Sequence, residues 1–399
     1  MRDELLIGPD DSGRVVAIAQ GRVVDAVGPD AERLEAGGAQ ITPGHVNAHT
    51  HLYSGLAPLG MPGPEPAPTC FVEILERVWW KLDRALDADS LRASARLYVA
   101  NALLSGTTTI IDHHESPALI EGSLDVLAGA YGELGARGLL GYGATERNGG
   151  REEALAGLEE CARFARTGAT ETVLAAVALH ASFTVSDETI ADAGALCSEL
   201  GVVMHVHVAE DQADVIDAVE RGYDGPLERL ARLGALPQGS ILAHGIHLSP
   251  EQVSWAAEQG CWWVHNPRSN EGNEVGYAAA LGATTRVALG TDGWPAEMEV
   301  EAEALERLGS AAGDDPQRRG KRLDAGHRLV AELFGTSENV LQPGAVGDLV
   351  VADERGPRHV VVAGQVVVRD RQLVLGDLEK IRREAEREAR AVWERMSAL

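Results

Sequence analysis

Positively charged residues are scarce in this chain. Its 399 residues include 35 lysines and arginines against 61 aspartates and glutamates, which gives a formal net charge of −26. Only Lys81, Lys321 and Lys380 are lysines. Nucleic acids and anionic membranes attract proteins largely through clustered positive charge. The composition therefore argues against both kinds of partner.

The chain also has few cysteines and no long apolar run. Its four cysteines are scattered and form no Cys-x-x-Cys pair, so neither a zinc ribbon nor a disulfide framework is indicated. A reducing compartment is the simplest interpretation. No apolar segment approaches the length that spans a membrane, and the N-terminus lacks the basic and apolar regions of a secretory signal. These absences predict a soluble, cytoplasmic protein without a membrane partner.

Residues 41–340 alternate between short β-rich runs and longer helical patterns. The pattern predicts strands over 41–48, 107–112, 138–144, 173–180, 201–207, 240–244, 261–265 and 286–290, with helices between them such as 88–105, 118–136, 151–167 and 186–200. Eight strands that alternate with helices predict an α/β fold of the (β/α)8 TIM-like barrel type. The rival is a doubly wound sheet, but no Gly-x-Gly-x-x-Gly opens a helix after the first strand.

The two ends of the chain share a sequence pattern that differs from that of residues 41–340. Residues 1–40 and 341–375 contain short β-branched runs separated by glycine-containing turns, as in Val360–Val368. The N-terminal strands are too few to fold alone. We therefore expect the C-terminal hairpin to pair with them in one small composite β-domain. Residues 376–399 are predicted to form a C-terminal surface or interface helix.

The segment Pro43–His51 ends in His-x-His. Side chains two apart on a strand point to the same face, so His49 and His51 can aim at one point beyond the strand's end. Two imidazoles that converge there would form half of a zinc site. The alternative is a pair of polar residues at a strand exit with no ligand.

Further histidines and one aspartate fall at the ends of the later predicted strands. They are His113, His114, His180, His205, His207, His244, His265 and Asp292. In a β/α barrel the chemistry is located at the C-terminal ends of the strands. This shared location favours a single site over scattered structural histidines. We expect His205 to pack deeper in the barrel.

Glu210 follows His207 in the pattern His-x-x-Glu. A carboxylate in the loop after a ligand-bearing strand is placed to move protons without binding the metal. The alternative is a carboxylate favoured by the dipole at a helix start. Because no lysine lies between Lys81 and Lys321, a carbamylated lysine from strands two to eight cannot bridge two metals. One metal ion is the simpler prediction.

The motifs together resemble a known family. They are Pro43-Gly44-x-x-Asn47-x-His49-Thr50-His51, Gly106-Thr107-Thr108-Thr109, His207-x-x-Glu210, Ala243-His244, His265-Asn266-Pro267-x-Ser269-Asn270, Gly290-Thr291-Asp292-Gly293 and Pro343-Gly344-x-x-Gly347-Asp348. In this order they resemble the amidohydrolase superfamily, in its cytosine/guanine/S-adenosylhomocysteine deaminase and chlorohydrolase branch. The segments Phe71–Asp83 and Asp112–His114 resemble most the SsnA-type aminohydrolases.

The resemblance implies roles for individual residues. One divalent ion, zinc with iron(II) as the alternative, would be held by His49, His51, His207 and Asp292. Glu210 would shuttle protons, and His244 would polarise the substrate or orient the metal-bound water. His180 lies where relatives contact substrate.

Four other residues on predicted strand-end loops are candidates for the substrate pocket. They are His114, Arg147, Asn270 and Trp294, and the alternative for each is a solvated loop residue. Trp79 and Trp80 are expected to pack against the barrel rather than to stack on substrate.

The resulting hypothesis is a metal-dependent hydrolase that acts on carbon–nitrogen bonds other than peptide bonds. Metal-bound hydroxide would attack a ring carbon that carries an amino group, Asp292 would accept a proton, and Glu210 would deliver it to the departing ammonia. The alternative reaction at the same site is hydrolysis of a cyclic amide or displacement of another leaving group. A non-catalytic metal-binding scaffold would not need Glu210 or His244. The small-molecule substrate remains unidentified, and the terminal helix is consistent with a homodimer.

Overall fold

The N-terminal strands form a small sheet of their own. The structure, a computed structural model, describes residues 4–399. Strands β1 (Glu4–Ile7), β2 (Val16–Ala19), β3 (Arg22–Val24) and β4 (Glu32–Leu34) lie in the order β3-β2-β1-β4. The pairs β1–β2 and β2–β3 are antiparallel, whereas β1 and β4 are parallel. The next strand, β5 (Gln40–Pro43), belongs to a different sheet.

Eight parallel strands follow in ring order. They are β6 (His45–Thr50), β7 (Thr107–His114), β8 (Arg137–Ala144), β10 (Val177–Ala181), β11 (Met204–Val208), β12 (Ile241–His244), β13 (Trp262–His265) and β14 (Val287–Leu289), while β9 (Val173–Ala175) adds to β8. The first and last strands meet through backbone hydrogen bonds from Thr291 and Asp292 to the carbonyl of His49. The side chain of Asn47 adds a hydrogen bond to the Thr291 hydroxyl, 2.7 Å long. This ring confirms the predicted TIM-like barrel.

Helices surround the barrel. They are α1 (Phe71–Ile74), α2 (Trp80–Arg84), α3 (Ala88–Leu104), α4 (Ser123–Leu134), α5 (Arg151–Thr167), α6 (Asp187–Leu200), α7 (Gln212–Glu220), α8 (Pro226–Arg232), α9 (Pro250–Glu258), α10 (Pro267–Gly272), α11 (Met298–Ala312), α12 (Pro316–Arg319) and α13 (Arg322–Phe334), with a π-helical segment over Leu75–Trp79. Side-chain caps define where several begin: Asp87 accepts from the backbone of Ser90, and Ser186 from that of Thr189. Among the described residues, no helix combines the length and apolarity that a membrane crossing requires.

The strand predicted over residues 41–48 is two strands. The chain turns at Gly44, where an added Cβ would lie 2.2 Å from Cγ2 of Thr108, so the close approach of the two chains requires glycine. Before this point β5 joins the terminal sheet, and after it β6 enters the barrel. The prediction was wrong here because both segments are extended and only a bend at Gly44 separates them.

The C-terminal strands pair with β5. Strands β15 (Leu349–Asp353), β16 (Gly356–Val362), β17 (Gln365–Arg369) and β18 (Gln372–Leu373) form a five-stranded sheet in the order β18-β17-β16-β15-β5. The expected pairing of this hairpin with the strands of residues 1–40 is therefore limited to Gln40, apart from an isolated bridge between Arg22 and Val346. The two small sheets instead contact each other through buried side chains such as Ile18, Leu349 and Val361.

Polar and apolar contacts attach the terminal elements to the barrel. Arg137 at the start of β8 forms a two-armed ion pair with Asp348, with N–O distances of 2.8 and 3.0 Å, and both side chains are buried. The last helix, α14 (Leu378–Ala398), buries a stripe formed by Ile381, Ala385, Ala389, Val392 and Met396. It contacts α3 and α2, and Arg96 of α3 pairs with Glu384.

Candidate active site

Three histidines and an aspartate converge at the C-terminal end of the barrel. His49 and His51 follow from β6, His207 lies on β11, and Asp292 follows β14. One potential ligand atom from each lies within 4.8 Å of the others, and all four residues are buried. The structure thus brings together the four residues that the sequence analysis selected as metal ligands.

The hydrogen bonds of His51 and His207 define their tautomers. Nδ1 of His51 lies 2.6 Å from the carbonyl oxygen of His113, and Nδ1 of His207 lies 2.6 Å from that of His180. A carbonyl oxygen can only accept, so each Nδ1 carries the proton. In the neutral rings both Nε2 atoms are then unprotonated, yet they lie 3.3 Å apart. Two lone pairs at this distance repel each other unless a cation lies between them.

Asp292 supplies the negative charge of the cluster. Its Oδ1 lies 2.8 Å from Nε2 of His51 and 3.2 Å from Nε2 of His49, and its Oδ2 accepts from the Ser269 hydroxyl. Burial raises the pKa of Asp292, but the hydrogen bonds from both histidines outweigh burial and hold it well below its usual range. Burial lowers the pKa of His51, but Asp292 outweighs it and raises the pKa to about 10, so that without a metal ion His51 also holds a proton on Nε2, which it donates to Asp292 and which a bound cation would replace. The cluster therefore stabilises an added positive charge.

The donor set fits a divalent metal ion. Burial holds the pKa of His207 well below its usual range, which keeps its imidazole in the neutral, ligating form. Ligands 2.0–2.1 Å from a tetrahedral zinc ion lie roughly 3.3–3.4 Å from each other, which agrees with the 3.3 Å between His51 and His207. Nδ1 of His49 contacts Nε2 of the buried His205 at 2.9 Å, which fixes the orientation of the His49 ring.

Glu210 and His244 lie beside the cluster. The carboxylate of Glu210 is 3.5 Å from Nε2 of His244, and both residues come within 4.8 Å of Asp292. Nδ1 of His244 lies 2.9 Å from Oδ1 of Asn270 and donates to it, so Nε2 holds a lone pair. Burial, together with the charge of Asp292, raises the pKa of Glu210 well above its usual range. Burial thus favours the protonated form of Glu210 and the neutral form of His244, whose Nε2 lone pair can accept a hydrogen bond.

Two of these residues adopt strained backbone conformations. His244 has a φ of 74° and Asp292 a φ of 53°, in the left-handed region that non-glycine residues rarely occupy. His244 is the last residue of β12, and Asp292 lies three residues after the end of β14. Strain of this kind persists where the surrounding structure imposes it, and it is concentrated at functional sites.

A cavity opens onto the cluster. It is lined by apolar and aromatic side chains and by polar groups, among them Tyr53, Phe71, Leu75, Trp79, Trp80, Asp83, Glu115, Arg147, His180, Phe183, Glu210 and Asn273. Arg147 and His180, two of the candidate substrate-binding residues, face this cavity. So do Trp79 and Trp80, contrary to the expectation that they only pack against the barrel.

The other candidate substrate residues lie outside the cavity lining. His114 is fully buried and contacts the hydroxyl of Ser116 at 2.8 Å. Asn270 is buried behind His244, whose ring it orients. Trp294 packs against Trp79, with ring centroids 6.1 Å apart. Position on a strand-end loop did not distinguish groups that face the cavity from groups that support its wall.

Sequence reasoning missed two buried carboxylates that line the cavity. Glu115 follows the Asp112–His114 segment directly, and its Oε1 lies 2.9 Å from Nδ1 of His113. Asp83 pairs with Arg147 at 2.9 Å, and burial raises the pKa of Asp83 to about 7 against the opposing charge of the guanidinium. Glu115 directly follows the histidine-rich end of β7, so its position in the sequence could have identified it as a candidate site residue. Asp83 lies in a helical pattern and carries no such signal.

Comparisons with known proteins agree with this geometry. The family model described as "Amidohydrolase family" matches residues 40–367. The 5-methylthioadenosine/S-adenosylhomocysteine deaminase of Haloarcula marismortui is 28% identical over 427 residues, covering 99% of this chain and 95% of that protein. The 8-oxoguanine deaminase of Pseudomonas aeruginosa is 29% identical over 378 residues, covering 86% and 82%. A solved adenosine deaminase from Xanthomonas campestris with bound zinc has a TM-score of 0.81 at 24% identity, covering 99% of this chain and 98% of that one.

The matched region contains the whole barrel, including every residue of the His/Asp cluster. These findings confirm the family and branch suggested by the motifs, while the finer resemblance to the SsnA type stays a prediction. The chain therefore belongs to the amidohydrolase family and is a hydrolase that acts on carbon–nitrogen bonds.

Proposed function

We propose that the protein is a metal-dependent deaminase that converts an amino-substituted nitrogen heterocycle into the oxo compound and ammonia. One observation carries the proposal: Glu210 and His244 lie within 4.8 Å of Asp292, and Glu210 and Asp292 also line the cavity. A purely structural zinc site needs no proton-transfer groups beside it. The relatives named as deaminases support the same reaction.

The metal in this proposal is a single zinc ion held by His49, His51, His207 and Asp292. When bound, zinc supplies a Lewis acid that makes water a nucleophile near neutral pH. Zinc in the similar Xanthomonas campestris structure supports this choice, although iron(II) also suits a site of three imidazoles and one carboxylate. Neutral His207 and ionised Asp292 provide the protonation states that binding requires.

Glu210 and His244 move the protons. Glu210 holds a proton because burial and the nearby charge of Asp292 raise its pKa. It donates this proton to the ring nitrogen next to the carbon under attack, takes up one proton of the attacking water and transfers it to the departing ammonia; the second water proton restores the acid form of Glu210. The lone pair on Nε2 of His244 accepts a hydrogen bond from the attacking water, and Asn270 keeps that lone pair pointed at the site.

Aromatic side chains suit a ring substrate. Phe71, Trp79, Trp80 and Phe183 line the cavity and provide faces against which a planar heterocycle packs. The homodimer expected from the sequence stays a prediction, and the proposed site is complete within one chain.

The test is ammonia release by metal-loaded protein across purines, pterins, pyrimidines, triazines and formimino compounds, with a chelator-treated control. Metal-dependent ammonia from one of these classes supports the proposal. Ring-opened acid without ammonia would contradict it and favour cyclic amide hydrolysis. Protein that binds no metal would overturn the ligand assignment itself.

A further inference from the structure

One short helix contacts two groups of the proposed site. Helix α10 follows barrel strand β13. Its residue Asn270 accepts a hydrogen bond from Nδ1 of His244. The hydroxyl of Ser269, the residue before it, donates to Oδ2 of Asp292. Two consecutive side chains of this helix therefore contact two different groups beside the cavity.

The hydroxyl of Ser269 also has a donor on its other side. Nδ2 of Asn273, which directly follows α10, lies 3.2 Å from Oγ of Ser269 and donates to it. An amide NH2 group can only donate, and an ionised carboxylate can only accept. The one proton of the hydroxyl must therefore point at Asp292, so the hydrogen bonds run in one direction, from Asn273 through Ser269 to Asp292. All three residues are buried.

The bond from Ser269 determines which oxygen of Asp292 faces the His/Asp cluster. Oδ1 lies 2.8 Å from Nε2 of His51 and 3.2 Å from Nε2 of His49. Oδ2 is bound by the hydroxyl. Turning the carboxylate away from the two rings would break this charge-assisted hydrogen bond in a buried site. The carboxylate is thus held with one oxygen toward the ring nitrogens.

Helix α10 is itself fixed to the segment that carries Asp292. Nη2 of Arg268 donates to the carbonyl oxygen of Pro295 at 2.6 Å. Nε of the same guanidinium pairs with the carboxylate of Glu301 on α11, whose side chain is fully buried. Because α10 is held in this way, the Ser269 hydroxyl orients Asp292 instead of following it.

We infer that Ser269 and Asn273 are positioning residues of the metal site. Asn273 directs the hydroxyl of Ser269, and this hydroxyl holds Asp292 with Oδ1 toward the point where the ring nitrogens converge. Neither residue belongs to the ligand set. Their roles rest on the proposed function, of which they require the zinc ligands and not the substrate. Hydrogen-bonding partners of metal ligands contribute a factor of about 10–100 to metal affinity or activity.

Zinc affinity tests the role of Ser269. Full-length protein is stripped of metal and titrated with zinc in competition with a chromogenic chelator, which requires no substrate. Ser269→Ala should raise the dissociation constant for zinc by about 10–100-fold. Wild-type zinc affinity in this variant would overturn the inference.

Ser240→Ala is the matched control. The Ser240 hydroxyl is also fully buried and donates to the carbonyl oxygen of Pro237 at 2.6 Å. Ser240 lies just before β12 begins, at the opposite end of the barrel from the His/Asp cluster. This variant should lose a similar free energy of unfolding in urea denaturation and keep the zinc affinity of the wild type. An equal loss of zinc affinity in Ser240→Ala and Ser269→Ala would reduce the role of Ser269 to general stability and overturn the inference.

A double-mutant cycle tests the path from Asn273 through Ser269. Asn273→Ala removes the donor that fixes the hydroxyl, which can then turn to a backbone carbonyl one turn earlier in the helix. Zinc affinity should fall in Asn273→Ala, but this change should have no further effect in the Ser269→Ala background. Equal effects in both backgrounds would contradict the path. The single variant tests the inference even if Ser269→Ala folds poorly, since unchanged zinc affinity in Asn273→Ala contradicts it.

Turnover separates failure of this inference from failure of the proposed function. Protein that binds zinc but releases no ammonia from any compound contradicts the deaminase proposal, while the zinc titrations still decide the roles of Ser269 and Asn273. With a reacting compound, zinc-saturated Ser269→Ala should show a kcat lowered about tenfold or more and an unchanged KM. We expect this because Ser269 acts through Asp292 and is not among the residues that line the cavity. A raised KM with unchanged kcat would contradict action through Asp292.

Discussion

Nε2 of His51 and Nε2 of His207 face each other at 3.3 Å, while the Nδ1 of each ring is bound to a backbone carbonyl. This arrangement holds both rings in the tautomer that presents a lone pair. The two residues are 156 positions apart in the chain, so the pairing depends on the closed ring of strands. Asp292 supplies the negative charge of the same cluster. We expect the cluster to bind a divalent cation because the two Nε2 atoms and this carboxylate converge on one point.

The first prediction concerns metal content. His207→Ala removes one of the facing nitrogens, so the purified variant should lose most of the roughly one equivalent of metal expected in the wild type. Metal analysis by plasma mass spectrometry after gel filtration checks this. His247→Asn, which alters a residue that contacts Gln212 away from the cluster, is the matched control and should keep its metal. Full metal content in His207→Ala would contradict the ligand set.

The second prediction separates proton transfer from metal binding. Glu210→Gln keeps the size of the side chain and removes the proton that its raised pKa retains. We expect kcat to fall by about 10²–10⁴-fold with metal content unchanged. Steady-state kinetics and metal analysis on the same preparation measure both quantities. Wild-type turnover in this variant would remove Glu210 from the mechanism.

The third prediction concerns the connection between the barrel and the C-terminal sheet. Asp348→Ala leaves the guanidinium of Arg137 buried without its carboxylate, which should lower the free energy of unfolding by about 3–5 kcal/mol. Urea denaturation followed by circular dichroism measures it. Arg166→Ala breaks the pair with Glu199, in which both side chains are more than half exposed, and should cost less than about 1 kcal/mol. Similar losses of unfolding free energy in both variants would contradict the conclusion that the buried Arg137–Asp348 pair holds the C-terminal sheet to the barrel.

The fourth prediction is a pH dependence of stability. Burial raises the pKa of Asp112 from 3.8 to about 7, and its Oδ1 accepts from the backbone N–H of Leu52 at 2.6 Å. The folded protein therefore binds a proton that the unfolded chain has released. The proton on Asp112 therefore contributes to the free energy of unfolding. This contribution is fully present below about pH 4 and is lost as the pH rises through about 7.

Asp112→Asn removes this titration while keeping an acceptor for Leu52. Relative to the variant, the wild type should lose stability between pH 5 and pH 8, by about 3 kcal/mol at most. Urea denaturation of both proteins across this range measures the difference. Parallel pH curves would show that Asp112 is ionised in the folded protein at both pH values.

Much of the fold was predictable because its signals are local. The helix over residues 151–167 was predicted to the residue, and the eight barrel strands were recognised from apolar runs separated by helical patterns. The pairing of the C-terminal strands was not predictable. An apolar run such as Leu349–Val351 of β15 can pair with any exposed strand edge, and only the folded chain shows that its partner on one side is β5.

The sequence by itself determined the barrel, the four candidate metal ligands and the pairing of Glu210 with that site, because parallel strands bring their C-terminal ends together and the relevant residue types recur at those ends. Only the tertiary structure decided the tautomers of His51 and His207, the supporting position of Asn270, and the wall formed by Asp83, Arg147 and Trp80. Asp83 and Arg147 are 64 residues apart and meet only when a helix packs over the mouth of the barrel. Burial then raises the pKa of Asp83 to about 7, an effect that does not exist in the unfolded chain.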